Sequence, residues 1–500
     1  MRKCDDFFEH LKKQDLAVTY DEVRLKTGLS KVMPSDVSLG SFFSRNVPLK
    51  IPIVSAAMDT VTESKMAIAL AKLGGIGVIH RNLTPKQQSE EAQRVKFHLS
   101  GIIAKPITVL ERMTMGEVET MRKERNFSFY SFPVINSNGK LVGLLTENDF
   151  DFCGDFSQPV SKIMTRALTV ASPSISMNGA YDRMKKEKKK VLPLINSDGT
   201  LAGLYLFTDL KRILLGQSKM YNVDKNGRLR VAAAIGTGEE EMERLQEIAD
   251  YVDAVVIDTA HGDSDPVFRM LKAIKKKYDL DVVAGNISEG DSARRLVKAG
   301  VDGIKVGQGP GSICTTRIVA GIGCPQVTAI YSVSKAIEGT NIPVCADGGI
   351  ENSGSIPIAI GAGAHSVMLG KLLAGTTEAP GEVDFQFGSP MKYYRGMGSL
   401  SALESSRASR ERYRQSDGGG NTLVPEGVEA AVPYTGDLST IMHQYIGGLQ
   451  KGMGYVGAAT IPELRKKADF WRITSTGMKE SHPHGVRIMR DAPNYKRDSD

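Results

Sequence analysis

Short, continuous apolar runs recur along the chain, and each ends on a polar residue, a glycine or a turn former. They are Ile51–Ser55, Ile76–His80, Val231–Ile235, Ala254–Asp258, Val282–Gly285, Gly303–Gly307, Val344–Asp347 and Ser366–Gly370. Many lead into a stretch with helical spacing. Strands that are apolar throughout are buried on both faces, as in a parallel sheet covered by helices. Eight such units predict an α/β fold, a (β/α)8 TIM barrel, whose active site gathers at the C-terminal ends of the strands. The residues after the runs have the chemistry for such a site: Met58 and Asp59, His80, Asp258, Asn286, Cys314, Asp347 and Gly370. Polar residues at strand ends are also ordinary turn formers, so their placement alone assigns no role.

About 150 residues separate the second run from the third, far more than one crossover helix needs. An internal repeat lies in that gap. Phe132-Pro-Val-Ile-Asn-Ser-Asn-Gly-Lys-Leu-Val-Gly-Leu matches Leu192-Pro-Leu-Ile-Asn-Ser-Asp-Gly-Thr-Leu-Ala-Gly-Leu, and Pro133/Pro193, Gly139/Gly199 and Asp149/Asp209 are each 60 residues apart. A period of this length with strand–turn–strand–helix content reads as two copies of one module. The Asn-Gly and Asp-Gly pairs fit hairpin turns. The expected domains are a first barrel part (1–96), a tandem module (97–216) and a second barrel part (217–500). Asp149 and Asp209 either hold a ligand or cap helices, a role that Asp fills well.

Composition narrows the setting. The net charge of +7 is modest and spread out, so no specific nucleic-acid partner is expected. The densest basic run, Lys185–Lys190, reads as a solvated helix end. The five cysteines form no CxxC pair and no zinc spacing, and their number is odd. That pattern fits free thiols in a reducing compartment. No signal-like N-terminus and no apolar stretch of membrane length is visible, so the expected setting is cytoplasmic, with no membrane partner.

The richest chemistry lies at 303–317, Gly-Ile-Lys-Val-Gly-Gln-Gly-Pro-Gly-Ser-Ile-Cys-Thr-Thr-Arg. Gly307, Gly309 and Gly311 allow close approach of backbone to a ligand. Ser312, Thr315 and Thr316 surround the thiol of Cys314 with hydroxyls. A thiol there is either a nucleophile or a small buried hydrophobe. Cys324 and Cys345 read as structural. Asp347-Gly-Gly-Ile follows a buried strand. Its carboxylate suits a ribose diol, and its glycines, with Gly370 after the next strand, suit a phosphate. No Gly-x-Gly-x-x-Gly dinucleotide fingerprint follows a strand. The Ser-, Gly- and Arg-rich segment 399–422 has the composition of a mobile flap.

These motifs together resemble the IMP dehydrogenase/GMP reductase family, bacterial IMP dehydrogenase in particular, over nearly the whole chain. The resemblance implies NAD-dependent oxidation of IMP to XMP through a covalent adduct on Cys314. Thr316 and the pair Arg412-Tyr413 on the flap would then activate water. It implies substrate contacts from Met58, Ser312, Asp347, Gly349, Gly370, Lys371, Tyr394, Gly396, Met397, Gly398 and Glu426. NAD would meet Asp258, Thr259, Asn286 and Gly307. A potassium ion would sit on carbonyls of Gly309, Gly311 and Cys314, with Glu480, Ser481 and His482 supplied by a neighbouring subunit of a homotetramer or octamer. The repeat resembles a tandem CBS pair, with Asp149 and Asp209 at positions that hold an adenine or guanine nucleotide. Three positions depart from the family pattern: Gln308, Lys371 and Arg414.

The nearest alternative is GMP reductase, which shares the barrel and the cysteine. It lacks the Arg-Tyr pair and carries a Glu where this chain has Leu400. A flavin-dependent barrel would not need Cys314. A silent nucleotide sensor built on the repeat would not need Cys314, Thr316, Asp347, Arg412 and Tyr413 together.

Overall fold

The computed structural model describes residues 2–99, 102–103, 106–124, 127, 129–215, 219–415, 422–490 and 492–495. The chain divides into two compact units. The larger comprises Met1–Lys96, Met220–Asp224 and Leu229–Asp500, and the smaller comprises Phe97–Lys219 and Lys225–Arg228.

The larger unit is built on a closed eight-stranded parallel barrel. Its strands are β1 (Ile53–Ser55), β2 (Ile76–Ile79), β3 (Ala232–Ile235), β4 (Ala254–Asp258), β5 (Asp281–Ile287), β6 (Gly303–Val306), β7 (Val344–Asp347) and β8 (Ser366–Leu369). Each of the eight apolar runs is one of these strands. β1 starts two residues into its run, with Pro52 immediately before it. β5 extends past its run to Ile287, with a register irregularity against β6 between Gly285 and Ile287. The barrel interior is filled by small and branched side chains from alternate positions, among them Val54, Val78, Ala232, Ala234, Val256, Val283 and Met368. Cys345 belongs to the same cluster, and burial pushes its thiol up to about 12. It is a core residue, as its place inside a strand predicts.

β2 pairs directly with β3, although the smaller unit lies between them in sequence. The chain leaves and re-enters the larger unit at one place. Buried Lys96 donates from Nζ to Asp224 at 3.1 Å and to Asp253 at 2.7 Å. The two ends of the insertion are therefore tied together inside the barrel unit.

The smaller unit holds the two copies of the repeat. In the first, strands Phe132–Ile135 and Leu141–Leu145 form a hairpin, and Val109–Leu110 pairs parallel to the former. In the second, Val191–Ile195 and Leu201–Leu206 form the hairpin, with Ile102–Ile103 beside the latter. The register shifts at Val134/Ile135 and at Leu194/Ile195, equivalent positions in the two copies. Gly139 and Gly199 take positive φ at the hairpin tips. Each copy has its own apolar cluster, one around Phe132 and Met115, the other around Leu192 and Met184. Among the described residues no helix is long and apolar enough to cross a membrane.

Candidate active site

The loop after β6 takes its shape from steric demands at Gly307. Its φ is +148°, and a Cβ there would lie 2.0 Å from the Asp347 carbonyl oxygen. The Asn286 side chain donates to the Gly307 carbonyl at 2.6 Å. Gln326 donates from below to the carbonyls of Val306 and Asp347. The strand end is thus fixed before the loop begins. The loop then turns at Gly311, whose carbonyl accepts the Cys314 N–H at 3.0 Å. The thiol of half-buried Cys314 donates to Thr316 Oγ1 at 3.1 Å. Two other loops strap this turn from outside: Thr315 N–H bonds the Glu426 carbonyl, Val428 N–H bonds that of Ile313, and Glu426 N–H bonds that of Gly398. Segments far apart in sequence therefore hold the sulfur in place.

One pocket joins the predicted residues. Cys314, Thr316, Ser312, Asp347, Gly349, Gly370, Lys371, Met58, Tyr394, Gly396, Met397 and Glu426 line it, and so do Asp258, Thr259, Asn286, Gly307, Gly309 and Gly311. Arg412 and Tyr413 line it as well. Gly398 lies just behind, against the Tyr413 ring. The Tyr394 hydroxyl sits over Gly370, where a Cβ would be 2.9 Å away. Burial raises the pKa of that tyrosine, so it stays a neutral donor beside Ser312. Lys371 is exposed at the rim, on the first turn of the short helix Lys371–Ala374.

Lys305 organises the floor, and its role is not evident from the sequence. It is 1% exposed. Its ammonium donates to Asp347 Oδ2 at 2.5 Å, lies 3.0 Å from Asp258 Oδ1 and bonds Asn286 Oδ1. One buried cation thereby joins three residues that the sequence reading divided between substrate and cofactor. In sequence Lys305 is a charged residue inside an otherwise apolar run, and that is the only signal that marks it.

The segment 399–422 contains two short helices, Leu400–Ser405 and Arg407–Arg412; residues 416–421 lie outside the described residues. Ser406 caps the second helix, and both it and Ser409 donate to Asn82, which also holds Asp59. Glu411 grips the barrel: Arg81 donates to it at 2.8 Å, and the N–H groups of Thr237 and Gly238 at 2.7 and 2.9 Å. Burial alone would raise the Glu411 pKa, but the Arg81 charge and these donors hold it below the ordinary 4.5. The next residue, Arg412, reaches into the pocket and pairs with Asp258. Burial lowers the Arg412 pKa, with the nearby Arg81 charge adding to the effect. Burial raises that of Tyr413, against a smaller opposing pull from Arg412.

The departures from the family pattern have local explanations. Gln308 accepts from Ser288 at 2.7 Å and donates to the Ala260 carbonyl at 3.3 Å, tying the thiol loop to the 258–262 segment. Arg414 is exposed at positive φ. Glu480, Ser481 and His482 are exposed, and among the described residues no hydrogen bond joins them to the thiol loop. Asp149 accepts from both the N–H and the hydroxyl of Thr146 and so caps its helix; Asp209 accepts from Arg212 at 2.9 Å.

A closed parallel barrel that brings a thiol, an Arg-Tyr pair and several glycines into one pocket has the architecture of a barrel enzyme. The IMP dehydrogenase / GMP reductase domain model matches residues 17–484, and the chain belongs to that family. It is 46% identical to inosine-5'-monophosphate dehydrogenase of Aquifex aeolicus, over 97% of this chain and 98% of that protein. It is 44% identical to the Escherichia coli protein of the same name, over 96% and 98%. A crystal structure of a cysteine-to-alanine GMP reductase from Trypanosoma brucei, bound to guanosine 5'-monophosphate, superposes with a TM-score of 0.84 at 37% identity, covering 94% of this chain and 98% of that one. The protein is an NAD-dependent oxidoreductase.

Proposed function

We propose that the enzyme oxidises IMP to XMP, the committed direction of GMP synthesis. The observation that carries this reading is that Arg412 and Tyr413 line the same pocket as Cys314 and Asp347. A reductase has no water to activate, and this pair is the feature that the dehydrogenase needs and the reductase lacks.

Cys314 Sγ adds to C2 of the purine, and the hydride on C2 leaves. NAD+, when bound, supplies the hydride acceptor. A thioimidate between Cys314 and the purine remains, and water displaces the thiol to give XMP. Splitting the reaction this way is covalent catalysis. Asp347 accepts the ribose hydroxyls, while Ser312, Gly349, Gly370 and Tyr394 take the phosphate. Met397, Gly398 and Glu426 face the base, with Met58 and Gly396 closing the walls. Lys371 adds a point charge at the rim. The contact of Arg412 with Asp258 supports a sequential use of one carboxylate: it serves the cofactor ribose, with Thr259, Asn286 and Gly307 beside it, and then Arg412 during hydrolysis. Arg412 takes the proton from water, and burial, which lowers its pKa, favours that role. Tyr413 and Thr316 assist.

Potassium is assigned to the carbonyls of Gly309, Gly311 and Cys314, which belong to one tight turn. Exposed Glu480, Ser481 and His482 would complete that site from another copy in a tetramer or octamer. The barrel parts 1–96 and 217–500 are catalytic. The 97–216 module is a tandem CBS pair that takes an adenine or guanine nucleotide near Asp149 and Asp209. The enzyme is assigned to the cytoplasm.

The test is absorbance at 340 nm with IMP, NAD+ and KCl. A rise that requires IMP and vanishes in Cys314→Ala supports the reading. No rise, with NADPH consumed when GMP is supplied, replaces it with GMP reductase.

A further inference from the structure

A second cavity lies at the opposite mouth of the barrel, where β7 and β8 begin. Val344 is the first residue of β7, and His365 immediately precedes β8; both line it. Arg2, Ser334, Glu338 and Arg465 line it too, with Thr340, Asn341 and Lys466. None of these residues touches the catalytic pocket.

The N-terminal helix Asp5–Lys13 carries Arg2 into place. Phe8 stacks on Tyr331 at 3.9 Å between ring centroids, and Lys3 N–H bonds the Lys466 carbonyl. Arg2 Nη1 donates to Ser334 Oγ at 3.1 Å and to the Ala362 carbonyl at 3.3 Å. The residue is 9% exposed, yet its Nε and Nη2 are buried without a hydrogen-bond partner. The nearest carboxylate oxygens, on Asp5 and Glu338, are each 3.8 Å from Nε. Both carboxylates are engaged more closely by Lys335, at 2.9 and 2.8 Å. The cavity lining itself carries three cations, Arg2, Arg465 and Lys466, against one carboxylate, Glu338, an excess of two positive charges. Buried guanidinium groups normally find partners. Burial and the neighbouring Arg2 charge bring the Arg465 pKa down to about 10, and His365 stays neutral in the same field.

We propose that this cavity is a binding site for a phosphate group, a tetrahedral dianion held between Arg2 and Arg465. The guanidinium fork matches phosphate oxygens, and two negative charges balance the excess. The matched family region begins at residue 17, so Arg2 and its helix precede it. The ligand would tie the N-terminal helix to the helix Ile461–Lys467. Its source is either inorganic phosphate or the phosphomonoester of a larger molecule.

The experiment uses the full chain with saturating IMP, which occupies the catalytic phosphate cradle. Crystals soaked in sodium selenate should give an anomalous selenium peak within hydrogen-bond reach of Arg2 and Arg465, absent in Arg2→Met. In solution, calorimetric titration with sodium phosphate at matched ionic strength should show a binding component whose dissociation constant rises about tenfold or more in Arg465→Met, the loss of one charge-assisted bond. Titration with ribose 5-phosphate separates the sources: tighter binding than inorganic phosphate assigns a phosphomonoester, weaker binding the free ion. If the buried-arginine variants do not fold, the wild-type soak and the variant Lys466→Met carry the test. No selenium peak at the cavity, or phosphate affinity unchanged in the variants, overturns the proposal. Because the readout is a difference between variants at this cavity, it does not depend on which reaction the catalytic pocket performs.

Discussion

Lys305 shows how one side chain can govern a site without being recognisable in advance. Its ammonium is the shared partner of Asp258, Asn286 and Asp347, and it has almost no access to water. Removing it leaves two carboxylates facing each other in a buried floor. Lys305→Met should therefore destabilise the barrel by about 3–5 kcal/mol, the range for breaking a buried ion pair from one side. Urea unfolding of the barrel transition measures it, and a loss below about 1 kcal/mol would mean that water already screens the group. Gly398 makes the opposite point, since what matters there is the absence of a side chain. A Cβ would stand 2.6 Å from the Tyr413 ring. In Gly398→Ala the ring must move, and on the proposed two-step mechanism hydrolysis should slow about a hundredfold, the usual penalty for ångström-scale misplacement. Rapid-mixing fluorescence should then show a burst of one NADH per site followed by slow turnover. A lost burst would instead place the defect in substrate binding. Cys314, Asp347 and the Arg412-Tyr413 pair are legible in the sequence because their neighbours form short, dense motifs. Lys305 and Glu411 are not, because single charged residues look alike until their partners are known.

At the scale of elements, the helix Arg407–Arg412 is too short to be stable alone. It is held by the Ser406 cap, by Ser409 on Asn82, and by the Glu411 carboxylate on Arg81, Thr237 and Gly238. Arg412 reaches Asp258 only while that grip holds. The Glu411 pKa is lowered in the folded chain, so its stabilising contribution is full above the unfolded value near 4.5 and is lost as pH falls through the lower folded value. The gap in unfolding free energy between wild type and Glu411→Gln should be about 1–3 kcal/mol near neutrality and should close on the acid side of 4.5. Urea midpoints of both proteins across that range measure it; a gap independent of pH would show that geometry rather than charge is lost. The eight strands are legible as continuous apolar runs because a parallel barrel buries both strand faces. The helices of segment 399–422 carry no such pattern, since their seats are polar and lie on remote loops.

For the whole molecule, the insertion between β2 and β3 leaves the barrel closed, because those strands pair directly and Lys96 ties the two ends together at Asp224. Replacing residues 97–219 by a short Gly-Ser linker should keep NADH formation within a few-fold of wild type and abolish any response to adenine or guanine nucleotides. A loss of folding, seen by circular dichroism, would mean that the barrel depends on the inserted unit. By itself the sequence determined the barrel, the duplicated insert and the thiol loop, because each is written in local periodicity, an internal repeat or a contiguous motif. The tertiary structure alone decided that Lys305 joins Asp258, Asn286 and Asp347, that Glu411 seats Arg412 against Asp258, and that Arg2 and Arg465 line one cavity at the far mouth. Those groupings bring together positions 19 to 463 residues apart, and their energies depend on burial and distance, which the linear order of residues does not encode.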